Sequence, residues 1–295
     1  MNKIEVKNNS IITKLVDDSI TVITNELLVF NIKIIFNKPT DLEIYFDSDT
    51  DTKLNIEYIL DKNIVVNLYE MRTGLKTKVQ YQYTLNSDAF LYLYRFNNSQ
   101  NMREVDIMNL KGENASLEFN LRTLSTNKEK YDIYIYHDQK KTRSVLNSIG
   151  IALKGSIIFN VTGVVEKGNS GSFLEQNNQI VTLTSEKCQI NPNLLIEEYE
   201  VDASHNATIG KFNSEEIFYL MSRGIKEEDA IKLLGKGLIL SSLKDETKKD
   251  TIINYIDEYW RWYYVSWWIS NFKNRRDLFW FECNCFKTKM CCRCR

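Results

Sequence analysis

Side chains able to ligate a soft or borderline metal are scarce in this chain: two histidines, His137 and His205, and six cysteines among 295 residues. A neutral imidazole can bind iron or zinc or carry a proton near neutral pH, and a thiolate is the usual partner of an iron–sulfur cluster. His205 lies in ASHNATIGKF, where a strand-like region gives way to a helical one. By type and place alone it is a ligand, an acid/base or a polar residue that pins a domain corner. His137 ends a strand-like run before the polar DQKKTRS, a setting that suits a structural or solvated histidine. Cys188, in SEKCQINP, reads as a small hydrophobe on a strand. The other five, Cys283, Cys285, Cys291, Cys292 and Cys294, crowd the end of the sequence. Their C-x-C and C-C-x-C spacing matches no common zinc pattern.

Recognisable catalytic machinery is missing from the sequence. Gly235-Lys236-Gly237 lacks the G-x4-G-K-[ST] spacing that cradles phosphates, no H-E-x-x-H or G-x-S-x-G occurs, and the C-x-x-C spacing appears only inside the C-C-x-C run that ends in Cys294. The carboxylates read mostly as solvated faces. With 38 basic against 39 acidic residues and a net charge of -1, no global field favours nucleic acid or an anionic membrane. The N-terminal MNKIEVKNNS has no apolar core of a signal peptide, and no run of about 18 apolar residues appears. The expectation is a cytoplasmic protein that is not an enzyme, with no intrinsic cofactor.

Residues 1–212 must supply the scaffold for any such site. NIKIIF, NIVVNLY, KVQYQYTL, AFLYLYRF, EVDIMNL, SLEFNLRTL and YDIYIYH alternate with period two and are rich in Ile, Val, Tyr and Phe, so they predict strands. Little between them suggests a helix, which leaves sandwich, barrel or solenoid. Uniform strand length, polar connections and few Asn-Gly hairpin turns favour a parallel β-helix with stacked rungs. In residues 213–259 the period changes. Asn213 or Ser214 caps a helix with Glu215 and Glu216 in its first turn; Ile217, Leu220 and Met221 form a core-facing stripe, and Gly224 stops it. Ile231, Leu233 and Leu234 mark a second helix before Gly235 and Gly237, and Ile252, Ile253 and Ile256 a third. Residues 260–295 hold all five tryptophans and five cysteines, which admits a metal site, a helix on a membrane surface, or an extension unrelated to what precedes it.

From His137 to Gly237 the sequence resembles the SufB/SufD family, scaffold proteins of the SUF iron–sulfur cluster assembly system. His137, Thr142 and Ser144 match H-x4-T-x-S; Phe159-Asn160 and then Gln176 with Asn178 follow in order. NPNLLIEEYEVDASHNATIGKFNSEEIFYLMSRGI matches the family's most specific signature, in wording closest to SufD. The resemblance implies a right-handed parallel β-helix (β-solenoid), mainly β, with a small C-terminal α-helical domain. It implies a SufD-like subunit that pairs with a SufB-type scaffold, or with itself, and docks a SufC-type ABC ATPase. Phe218, Tyr219, Leu220, Ser222, Arg223 and Gly224 are the docking residues so implied, with a helix-dipole role as the alternative for Arg223. A transient iron–sulfur cluster would form at the interface, with His205 as a shared ligand. Many relatives carry cysteine where Ala203 stands, so no thiolate adjoins His205. Two other readings are a stand-alone SufB-like homodimeric scaffold and a carbohydrate-active β-helix enzyme with convergent Asp, Glu, Lys or Arg side chains.

Overall fold

A computed structural model describes residues 2–7, 10–26, 30–48, 52–74, 77–99 and 101–271. The readings placed on the five cysteines from Cys283 onward lie outside the described residues. The chain divides into two units, one ending at Glu227 and one beginning at Glu228.

The first unit is built of strands until Gly210. Among the described residues one sheet holds β1 (Asn2–Lys7), β2 (Ser10–Lys14), β5 (Thr40–Ser48), β7 (Val65–Gly74), β9 (Phe90–Ser99), β11 (Ser116–Ser125), β13 (Arg143–Ala152), β15 (Ser172–Thr182) and β17 (Val201–Gly210). The other holds β3 (Ile20–Glu26), β4 (Phe30–Phe36), β6 (Thr52–Leu60), β8 (Thr77–Leu85), β10 (Arg103–Leu110), β12 (Lys128–His137), β14 (Ser156–Val165) and β16 (Gln189–Ile196). From β4 onward consecutive strands alternate between the sheets, and each pairs in parallel with the strand one rung away. This is the stacked β-solenoid that the strand pattern and the resemblance imply. Among the described residues only β2 and β3 turn back antiparallel, against β1 and β4, and they form the outer strands of the first rung.

The alternation places one parity of every strand in a shared interior. Buried and partly buried residues alternate along β10, β12 and β14, and inward side chains such as Ile34, Leu68, Leu93, Phe119, Leu146 and Phe159 form the core. Each fully buried Leu, Ile or Phe contributes roughly 1.5–3 kcal/mol, and a one-residue slip would turn the whole set outward. Outside, identical amides stack along the rungs. Asn55 donates to Asn31 at 2.9 Å, Asn191 to Asn160 at 2.7 Å and Asn177 to Asn147 at 3.2 Å.

One corner repeats with each turn of chain. Asn63, Asp88, Asn114, Lys141 and Gly171 all take positive φ, at intervals of 25, 26, 27 and 30 residues. The N–H of each donates to the corner above it, as from Asn63 to Ser87 at 3.0 Å and from Gly171 to Glu200 at 2.7 Å. Asn, Asp and Gly tolerate the left-handed conformation best, so the corner is a repeat written in backbone conformation rather than in side-chain identity. Where corners crowd most, only glycine fits: a Cβ on Gly112 would lie 1.9 Å from the Ser87 nitrogen.

Several carboxylates prove to be interior rather than solvated. Glu70, Glu104, Asp106, Arg72 and Arg95 project inward at the middle rungs and are 0–1% exposed. Arg95 pairs with Glu70 and Glu104 at 2.5 Å and with Asp106 at 2.8 Å, while Arg72 reaches Glu104 at 3.0 Å. Tyr58 donates to Glu70, and the hydroxyls of Tyr81 and Tyr83 accept from Arg72 and Arg95. Burial pushes the Asp106 carboxyl well above the usual carboxylate range. Burial works the same way on Glu104, yet Arg95 and Arg72 hold it below that range. Because the arginines come from one sheet and Glu104, Asp106 and the tyrosines from the other, the network ties the two walls together across the interior.

Helix α1 (Ser214–Ser222) closes the first unit. Its expected cap is present, with Asn213 Oδ1 accepting from the Glu215 N–H at 2.9 Å, and Gly224 follows with φ +86°. Its stripe is not core: no α1 side chain is fully buried, and Met221 is exposed. In the second unit α2 (Glu227–Leu240) runs through Gly235 and Gly237 instead of stopping there, and Leu233 is exposed while Ala230, Gly235 and Ile239 are buried. Each interior glycine costs about 1 kcal/mol of helix propensity. Lys232 and Lys236 both pair with Asp257 on α3 (Glu246–Asn271), at 2.5 and 2.6 Å. Ile252, Ile256 and Trp260 are buried at helical spacing, so α3 continues through the tryptophan where composition changes. Among the described residues no helix is long and apolar enough to cross a membrane.

The network yields a stability prediction. Arg95→Met removes the cation shared by three buried carboxyls and is expected to lower unfolding free energy by about 3–5 kcal/mol. Urea titration checks this, and a loss within experimental error would mean that the network is not a clamp.

Candidate functional site

The last rung is where the solenoid stops covering itself. β16 and β17 are the outer strands of their sheets, and their inward residues stand over the rung formed by β14 and β15. On β17 the inward parity is carried by Ala203, His205, Ala207 and Ile209, which pair with Leu174, Gln176, Asn178 and Ile180. His205 therefore ends an inner column that passes through Leu42, Leu68, Leu93, Phe119, Leu146 and Gln176. The residues below it are buried, whereas His205 itself is exposed because no rung follows. Across from it the inward residues of β16, Ile190, Pro192, Leu194 and Ile196, are half-buried.

The column changes character as it nears that end. Gln176 and Asn178 are each 2% exposed and Ser148 is fully buried, with Ser148 beside Asn178 in register. Gln176 Nε2 donates to the Asn193 carbonyl at 3.4 Å and Asn178 Nδ2 to the Asn206 carbonyl at 3.4 Å. Gln176 Oε1, Asn178 Oδ1 and Ser148 Oγ have no partner. Gly163 makes room opposite, since a Cβ there would come within 3.0 Å of Gln176 Nε2. A neutral, amide-lined end of the interior thus lies beneath one exposed imidazole. Such an arrangement can offer a single nitrogen donor to a metal held mainly by another chain. Among the described residues no three His, Cys, Asp or Glu side chains gather into a metal site.

His137 resolves in favour of the structural reading. It ends β12 at 1% exposure, with Nδ1 2.7 Å from Thr142 Oγ1 and Nε2 2.8 Å from Ser144 Oγ. The Thr142 hydroxyl proton is directed to Gln139 or Ser172, so Thr142 accepts from Nδ1–H and Ser144 donates to Nε2. Burial lowers the imidazole to about 3 and keeps it neutral. Residues 137, 142 and 144 are thus a knot at a solenoid corner. Cys188 lies in the segment just before β16 rather than on a strand, half-buried against the core.

Downstream, α1 presents a surface. Phe218 is 72% and Tyr219 57% exposed. The Arg223 guanidinium sits over the Tyr219 ring at 5.3 Å and its Nη2 is 3.5 Å from the tyrosine hydroxyl. The Arg223 side chain accordingly stacks on the helix side, while its backbone N–H caps α1 by donating to the Leu220 carbonyl at 3.1 Å. Ser222 Oγ donates back to the Tyr219 carbonyl at 2.7 Å, Leu220 is half-buried, and Gly224 makes the turn. Sequence reasoning missed Glu70, Arg72, Arg95, Glu104 and Asp106. The available signal was parity: in NLYEMR and LYLYRF the charged residue occupies the position where the alternation demands an apolar one.

The family model described as "SUF system FeS cluster assembly, SufBD core domain" matches residues 31–238. The iron–sulfur cluster assembly protein SufD of Bacillus subtilis is 33% identical over 135 residues, 44% of this chain and 31% of that protein. The protein of the same name in Escherichia coli is 27% identical over 157 residues, 50% of this chain and 37% of that protein. An iron–sulfur cluster assembly SufBD family protein of Pyrococcus horikoshii is 35% identical over 102 residues, 32% of this chain and 23% of that protein. The chain therefore matches no more than 37% of the length of any of these three relatives.

The His137 knot has a pH signature. Its imidazole titrates at about 3 when folded against 6.5 as the reference, so the residue leaves stability unchanged above about pH 6.5 and lowers it as pH falls toward 3. The loss approaches about 1.4 kcal/mol per pH unit in that window. Relative to His137→Gln, the wild-type chain is expected to lose about 2 kcal/mol between pH 7 and pH 5 in urea titrations. A parallel response of the two proteins would contradict the assignment.

Proposed function

The chain belongs to the SufBD core family of the SUF iron–sulfur cluster assembly system, and on that premise we propose that it is a non-catalytic, SufD-like scaffold subunit. It pairs with a SufB-type scaffold along the last rung and docks a SufC-type ABC ATPase on α1. The observation that carries the reading is the last rung itself. Among the described residues β16 and β17 each have one edge without a strand neighbour, and exposed strand edges are templates for pairing with another chain. Leu195, Tyr199 and Ile209 add exposed apolar surface to the same rung.

Cluster iron and sulfide are cargo in this reading. His205 supplies one ring nitrogen at the rim, and Ala203 supplies no ligand, so in this reading thiolates are expected from a partner. Ala203 in place of a cysteine beside Ser204 and His205 also favours a SufD-like heteromeric role over a stand-alone SufB-like homodimer. A carbohydrate-active enzyme is less well supported: the carboxylates that do converge, Glu70, Glu104 and Asp106, are buried at 0% exposure, out of a polysaccharide's reach.

On α1, Phe218 and Tyr219 provide aromatic area, and Arg223, pre-stacked on Tyr219, provides a planar set of donors. Aromatic and arginine side chains dominate interface energetics when buried.

Two experiments test the parts separately. His205→Ala, reconstituted anaerobically with a SufB-type partner, is expected to fold normally and to lose most cluster, read as iron and acid-labile sulfide; normal yield removes the ligand role. Phe218→Asp and Arg223→Glu are expected to weaken co-purification of the ATPase by roughly thirtyfold or more in affinity, about 2 kcal/mol. Undiminished binding by both variants would place the ATPase elsewhere.

A further inference from the structure

We propose that Gln176 is the positioning residue for His205: its side-chain oxygen accepts the imidazole N–H that faces into the solenoid, leaving the other ring nitrogen directed outward. The proposal rests on the reading of His205 as a ligand only for the use of that outward nitrogen; the hydrogen bond stands or falls independently.

Four observations converge on it. Gln176 and His205 are register partners on adjacent parallel strands and share the inward face, so their side chains are neighbours about 4.8 Å apart along the stack. Gln176 is 2% exposed, and its Oε1 has no partner in the structure, the His205 ring included, so the proposed bond forms when the exposed imidazole turns inward onto it. A buried amide oxygen left unpaired costs free energy comparable to a hydrogen bond, so an acceptor in this position calls for a donor. The orientation of the amide is set by its other end, because Nε2 already donates to the Asn193 carbonyl at 3.4 Å, which leaves the oxygen to accept. The space is kept for it by Gly163, since any Cβ at that position would press on Leu174 Cδ2 at 2.8 Å and Gln176 Nε2 at 3.0 Å.

The available donors above Gln176 are few. Its register partner is His205, and the residues of the same parity on either side, Ala203 and Ala207, have no side-chain donor. Asn178 also has an unpartnered oxygen, but it pairs with Ala207 and serves as an internal contrast. A histidine that binds a metal through one nitrogen characteristically donates its other N–H to a fixed oxygen, which selects the tautomer and raises ligand basicity. Gln176 is placed to do this before any partner or metal arrives.

The test reads tautomer rather than cluster yield. Two-bond proton–nitrogen correlation NMR of the whole chain, at alkaline pH where imidazole is neutral, reports which His205 nitrogen carries the proton. In the wild-type chain one tautomer is expected to dominate by about tenfold, the size of bias one partly buried hydrogen bond supplies. Gln176→Leu is expected to return His205 to the mixed tautomers of a free imidazole, while Gln176→Glu, which keeps an acceptor oxygen, and Asn178→Leu both retain the bias. A wild-type His205 with no bias, a bias that survives Gln176→Leu, or one that Asn178→Leu abolishes overturns the proposal; the wild-type measurement alone can refute it if the leucine variant does not fold. A bias that depends on Gln176, together with normal cluster yield from His205→Ala, would uphold the positioning bond and remove only the ligand reading.

Discussion

Everything in the first unit depends on the facing of two parallel sheets across one narrow interior. Parallel strands have no tight hairpin to set their register, so the register must come from side-chain parity and from the corners between rungs. The apolar columns enforce the first. The stacked left-handed residues at Asn63, Asp88, Asn114, Lys141 and Gly171 enforce the second, each donating its N–H to the next corner. A slip of one residue would break both at once, and this coupling keeps strands with varied sequences in a single stack.

Within that frame the interior is graded. The first rungs are mainly apolar, the middle rungs carry the Arg72–Glu104–Arg95 network with its tyrosines, and the last rungs turn to amides at Gln176 and Asn178. A buried ion network is a poor source of net stability compared with a hydrocarbon core of equal volume, but each member is costly to remove once the others are present. Its physical effect is specificity: charges from one wall demand their partners on the other. The amide end demands less, being neutral, and it can adjust to what meets the open rung.

Legibility differed between these layers. The strand runs between Asn31 and His137 follow from period-two alternation: the observed bounds of β4, β8, β10 and β11 fall within a residue of the apolar runs, whereas β7 and β9 continue past theirs and β12 begins before its own. The cap at Asn213 and the stop at Gly224 were equally plain, because both are local chemistry. What misled was any inference that needed a neighbour. The α1 stripe looks like a core face but is not buried, Gly235 and Gly237 look like stops but lie inside α2, and the carboxylates at 70, 104 and 106 look solvated but sit at the centre. Amphipathic spacing says that a face exists, not what covers it, and a charged residue in a strand reveals its burial only once the parity of the whole strand is counted.

The sequence by itself determined the periodicity, the order of strands before helices, the motif residues from His137 to Gly237 and the membership in a family that they announce. These are properties of local spacing, readable one segment at a time. Only the tertiary structure decided that His137, Thr142 and Ser144 form one buried knot, that charged residues from distant segments meet across the interior, and that His205 ends an inward column above Gln176. Parallel stacking brings together residues about one rung apart in sequence, and no local rule records which of them will share a column until the corners have set the register.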